Sequence, residues 1–302
     1  MKNNKLIYFI LTIFMYGVGF SSIFRLCKND SWLVVLVGSI ISFLILPTYK
    51  RLIKNNKYIK LLNISFILLI NMMVLRIFTT SFYLTKTPGL FITIPFMLLC
   101  LYNSYKNEDS LYKESCILFL FSVITITLNL LASTKTGSIN FFTPFLSTTF
   151  YKIIKGIIYY VIFILSPLVL VDKIENKLFI FTNIFILFMV IIIIFVLGPN
   201  LICIYRFPEY MIYKEISLFG FIENVENLVG LIYFLNLFIT SSLCLINIKK
   251  IVKNKYTIYI IIFTILYITE FVSDKYEYSM FIYKYLPFIL LIFMFLNILK
   301  KE

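Results

Sequence analysis

The chain has 302 residues, of which 61% are hydrophobic, 19% aromatic and only 14% charged. A soluble domain carries roughly 45–50% apolar and about 25% charged residues, so an ordinary soluble globular protein is excluded. There are 28 Lys and Arg against 14 Asp and Glu, and no His; the lack of His removes Ser-His-Asp and Cys-His catalysis and every His-ligated metal site, and in so apolar a chain the basic excess is read as membrane-loop charge, not as a nucleic-acid surface.

A membrane-crossing helix needs about 20 mostly apolar residues. Ten segments qualify, at 6–24, 32–49, 61–84, 88–102, 115–133, 153–171, 178–197, 225–248, 257–272 and 281–299, the fourth and ninth being the weakest. Lys2 and Lys5 precede the first run and no A-x-A site follows it, so it is read as a retained span and not as a removed signal peptide. Residues 1–302 read as one polytopic domain.

The first span contains Gly17, Gly19, Ser21 and Ser22. Two glycines followed by two serines suit either close helix packing or an unwound stretch whose backbone groups face a solute. The third span carries Arg76 within an apolar run. A charge at such a depth costs about 2.5–3.5 kcal/mol on insertion scales. Arg76 is therefore expected to pair with an acid, to bind a substrate carboxylate, or to snorkel to the interface. The acids within reach are Glu223, Glu226 and Glu270, and Glu226 is the expected partner by depth. The sixth span holds Gly156 and, farther on, Phe163, Ser166 and Pro167. Pro167 has no N–H and kinks the helix. Broken first and sixth spans fit two inverted five-helix repeats.

Gly198-Pro199 is expected to end the seventh span. Beyond it, Pro208 suits the first turn of a new helix, with Glu209 near its positive end, in a segment able to lie along the interface. Glu223 and Glu226 share a helix face, but no further active-site groups accompany them, so catalysis is not expected. The five cysteines form no CxxC and read as apolar filler, with a Cys27–Cys203 bridge as the alternative. With the N-terminus inside, 17 basic residues fall on inner segments and 10 on outer ones, which orients both termini inward.

Residues 207–226 resemble the B subunit of spore germinant receptors, a family similar to amino acid–polyamine–organocation permeases. The resemblance rests on Phe207-Pro208-Glu209, Lys214-Glu215-Ile216-Ser217 and Phe221-Ile222-Glu223-Asn224-Val225-Glu226. Asn29-Asp30-Ser31-Trp32-Leu33, Leu75-Arg76 with Thr87-Pro88, and Lys155-Gly156 agree in order and spacing. Two places depart: Phe24-Arg25 stands where the family has leucine-proline, and Phe163 to Pro167 lack its sixth-span carboxylate.

The resemblance implies an all-α integral membrane protein with ten transmembrane helices in a five-plus-five inverted-repeat, LeuT-like bundle. It implies a spore inner membrane location, beside an A-type membrane subunit and a C-type lipoprotein. The function implied is sensing of a small-molecule germinant such as an amino acid, at a site between spans one, three, six and eight. Ligand contacts are expected from Gly17, Gly19, Ser21, Ser22, Phe163 and Ser166, with Arg76, Glu223 and Glu226 coupling the bundle halves. No cofactor, metal or nucleic acid is expected. A secondary transporter of amino acids or related solutes is the alternative reading, and a membrane-embedded enzyme is disfavoured by the short loops.

Overall fold

A computed structural model of the chain describes residues 21–53, 57–105, 108–171, 175–212 and 225–275. The described residues are helical and contain no strand. In hydrocarbon each backbone N–H and C=O must find an internal partner, which a helix supplies within one segment. Keeping the span numbers of the sequence, span two is Ser31–Ile53, span three Lys57–Phe82, span four Leu90–Asn103 and span five Glu108–Ser133. Span six is Phe150–Leu165, span seven Asn176–Ile204, span eight Val225–Ile251 and span nine Lys255–Lys275. Eight of the ten expected segments thus coincide with helices. Most of the first, with Gly17 and Gly19, lies outside the described residues, as do the whole of the tenth and Glu223. Among the described residues seven helices are long and apolar enough to cross a membrane, and Leu90–Asn103 is a shorter apolar helix.

The outward faces show what solvent these helices meet. On span five Ile117, Phe121, Ile124 and Leu128 form an exposed stripe, and on span nine Tyr256, Ile260, Phe263 and Tyr267 do the same. Their spacing of three and four residues places each set on one helix face. Apolar stripes of this length pointing away from the protein suit hydrocarbon, not water.

Packing joins helices distant in sequence. Span two packs on spans six and seven; span three packs on spans eight and nine; span eight also holds spans four and five. A symmetry relating each span to the one five places later would map the two–seven and three–eight contacts onto themselves. It would exchange the four–eight contact with nine–three. All four pairs are present, whereas the contact of span three with span four has no counterpart of like extent between spans eight and nine.

Small residues permit the closest approaches. A Cβ on Gly156 of span six would stand 2.9 Å from Cys27 Sγ and 3.2 Å from Val34, so the corner before span two lies directly on span six. Gly198 adopts φ +70 inside span seven, a backbone region open to glycine at no steric cost. It was expected with Pro199 to end the helix. Instead it kinks it, and Asn200 to Ile204 continue helically, because the apolar sequence beyond the break still has a core to enter: Ile202 is fully buried.

A polar latch fixes one loop. Asp30 is buried at the start of span two. Its carboxylate accepts from the backbone N–H of Leu146 at 2.8 Å and of Thr148 at 2.9 Å, and from the Thr148 hydroxyl at 2.8 Å. Asn29 Nδ2 donates to the carbonyl of Pro144 at 2.6 Å and of Phe142 at 3.3 Å. The Asn29-Asp30 pair, quoted above only for its resemblance, therefore ties the connection between spans five and six to the corner before span two. Cys27 and Cys203 are free thiols. Cys27 donates to the Lys152 carbonyl and Cys203 to that of Phe24, each at 3.4 Å, so the alternative of a bridge between them is not realised.

Candidate functional site

Span six breaks at the expected place. The α-helix ends at Leu165 and the chain tightens into a 3-10 turn over Ser166–Val169, with Pro167 in its first turn. Proline withholds one N–H from the helical ladder. The Ser166 N–H still reaches the Ile162 carbonyl, and its hydroxyl donates to the Phe163 carbonyl at 3.2 Å. Phe163 and Ser166 are both buried, and the 3-10 turn packs on span three. Of the first-span serines, Ser21 and Ser22 are buried. Ser22 Oγ has no hydrogen-bond partner among the described residues.

Arg76 points inward. Its Nε lies 2.9 Å from Glu270 Oε2 on span nine, with the two side chains 12% and 16% exposed. Thr93 of span four donates to the other carboxylate oxygen of Glu270 at 3.0 Å. A Cβ on Gly89 would collide with the guanidinium, so glycine at the head of span four makes room for the arginine. The ion pair joins spans three and nine and its hydrogen bond adds span four. The partner is Glu270, whereas the sequence favoured Glu226. Depth counted along one helix does not reveal which neighbour faces it; span nine packs on span three and brings Glu270 to Arg76. Glu226 is half-buried and within electrostatic reach of the Tyr210 hydroxyl instead.

A polar seam runs between spans three, four and eight. Asn71 Nδ2 is 3.5 Å from Ser241 Oγ, and Asn103 Nδ2 is 3.4 Å from Ser242 Oγ. Asn71 and Asn236 lie near the middles of spans three and eight, both fully buried, and the Oδ1 of each lacks a partner among the described residues. A buried amide oxygen without a donor costs about 1–3 kcal/mol. These two acceptors were missed in the sequence, although an Asn inside an apolar run was the available signal.

After span seven Pro208 opens a short helix, Pro208–Met211, as expected, and Pro208, Glu209 and Tyr210 are buried within the protein; residues 213–224 of the segment expected to be interfacial lie outside the described residues. Phe207 and Tyr210 interlock with span three and span eight: Phe78 meets Phe207 at 5.4 Å and Tyr210 at 5.1 Å between ring centroids, Phe82 meets Tyr210 at 4.5 Å, and Phe78 meets Tyr233 at 4.6 Å. Such edge and offset contacts each add about 0.5–1.5 kcal/mol beyond area burial. Tyr83 and Tyr210 share a hydroxyl hydrogen bond of 2.9 Å, and a Cβ on Gly230 would strike the Tyr83 hydroxyl. Glu209, between these rings in sequence, is 7% exposed, and neither carboxylate oxygen has a side-chain partner among the described residues. Burial pushes its carboxyl up to about 8.

No known protein-family model matches the chain, and no curated protein matches it.

Proposed function

We propose that this chain is the nutrient-sensing membrane subunit of a spore germinant receptor, binding a small zwitterion such as an amino acid inside a ten-span, five-plus-five inverted-repeat bundle with both termini inside. The observations that carry the reading are a helix break at the end of span six and unspent hydrogen-bonding capacity on spans three and eight. Span six leaves α-helical geometry at Ser166-Pro167 where it packs on span three, and spans three and eight each carry a buried amide oxygen without a donor. Discontinuous helices are how transporter folds present backbone groups to solutes. A ligand ammonium supplies the donors that Asn71 and Asn236 lack, and Ser22 offers a further hydroxyl. The contacts between spans two and seven, three and eight, four and eight, and nine and three support the inverted repeat. The ordered motifs from Asn29-Asp30 to Glu226 support the family. Its location is then the spore inner membrane, with an A-type membrane subunit and a C-type lipoprotein as partners.

Sensing follows by population shift: a ligand favours whichever packing of the two halves completes its hydrogen bonds. Arg76–Glu270 holds spans three and nine together, so it belongs to the part of the bundle against which span six moves. The test is dipicolinic acid release from spores lacking the gene, across single amino acids, nucleosides and sugars. Loss of response to one nutrient, restored by the intact gene and not by an Asn71→Ala copy, is expected. Unchanged responses to every nutrient, in a strain with no second copy, overturn it. The same contact pairs also suit a secondary transporter of amino acids, and uptake of the labelled solute by this chain alone in vesicles favours that second reading.

A further inference from the structure

The Glu209 carboxyl is spent on nothing described so far. It is buried, neither oxygen has a side-chain partner among the described residues, and Phe207 and Tyr210 on either side of it are locked into a wall of rings from spans three and eight. Among the described residues the titratable and charged groups around it are few. Tyr233 on span eight is within its electrostatic reach. Tyr210 follows it in the chain, and Tyr83, at the end of span three, bonds to Tyr210. Glu226, at the start of span eight, bears on Tyr210 and adds negative charge. Arg76 on span three is engaged with Glu270. Arg206, upstream in the same segment, is exposed. Among the described residues no cation pairs with this carboxylate, and the backbone N–H of Glu209 itself is the group that favours its charged form; burying the ion is far costlier than burying the neutral acid.

We propose that Glu209 is a proton-binding site: its carboxyl carries a proton while residues 205–212 are seated on the aromatic wall of spans three and eight, and releases that proton to water when the segment lifts. Upstream, Gly198 breaks span seven at φ +70, and Asn200 to Ile204 carry the chain helically from that break to the segment. One O–H bond breaks and the proton passes to solvent or buffer, with no other bond changed. The inference holds whether the chain senses a solute or carries one, because it concerns the conformational step that either activity uses.

The direction follows from linkage. When lifted, the carboxyl has its ordinary value of 4.5, and seated it is held near 8. Below the lower value both forms are protonated and pH has no effect. Between the two the seated form holds one more proton, so raising pH moves the equilibrium toward the lifted form by about tenfold per pH unit. Above the higher value both are ionised and the effect saturates. The chain is thus more open on the alkaline side.

Two measurements on the full chain in lipid nanodiscs test this. Infrared spectra of protein carrying isotope-labelled glutamate are expected to show a protonated carboxylic acid band at about pH 6 that fades by about pH 9. The band is expected to be missing in Glu209→Gln. Glutamates that remain ionised throughout that range overturn the proposal, and this arm needs only wild-type protein. Amide exchange of residues 205–212 is then compared between wild type and Glu209→Gln at each pH, which cancels the intrinsic pH dependence of exchange. The wild-type to variant rate ratio is expected to rise about tenfold per unit between about pH 6 and 8. A flat ratio, with the variant folded, shows that the proton does not control the segment and overturns the proposal.

Discussion

Replacing Glu270 by Gln removes the charge facing Arg76 while keeping size and the Thr93 contact. At 2.9 Å and an effective dielectric constant of about 20, the Coulomb attraction is about 6 kcal/mol before desolvation is counted. Desolvation cancels most of that for the intact pair, but it does not vanish when one partner goes. Breaking a buried pair costs about 3–5 kcal/mol. The two side chains keep 12% and 16% of their exposure, and an unfolded chain in a membrane also finds partners, so the low end applies, about 3 kcal/mol. The assay is a denaturation titration of the purified protein in mixed micelles, with Arg76→Met and the double variant completing a cycle. The double variant is expected within about 1 kcal/mol of wild type, because it buries no unpaired charge. A Glu270→Gln loss under about 0.5 kcal/mol, or a double variant as unstable as the sum of the singles, would refute the reasoning.

Gly230→Ala places a methyl group on the Tyr83 hydroxyl and is expected to cost about 1–3 kcal/mol; adding Tyr83→Phe is expected to recover part of it in the same titration, since the colliding oxygen is gone. Asp30→Ala strips acceptors from two backbone N–H groups and is expected to cost about 3 kcal/mol, with protease cleavage appearing first within residues 142–148. Asn71→Leu removes an unsatisfied oxygen, so stability is expected to stay level or rise by about 1 kcal/mol while the nutrient response disappears. A destabilised Asn71→Leu would instead make the asparagine part of the packing.

Much of the architecture is legible in one dimension because the bilayer is a strict solvent. It demands runs of apolar residues of a set length, and spans two to nine stand where those runs stand. Pro167 breaks span six for a reason local to its own ring, and the cost of burying Arg76 announces that a partner is needed. Which partner is a matter of neighbours. Glu270 is far from Arg76 in the chain, and only the packing of span nine on span three selects it over Glu226. Gly198-Pro199 looked terminal because local signals mark a break but do not show that Ile202 has a core to enter. The fate of Glu209 was hidden in the same way. Pro-Glu in a mixed polar and apolar stretch describes a wet helix start equally well, and it is the ring wall of Phe78, Phe82 and Tyr233, assembled from two spans, that leaves the carboxylate dry. Composition and hydropathy determine that this chain crosses a membrane and where; tertiary packing alone decides which buried polar groups are satisfied, because satisfaction depends on atoms contributed by other helices.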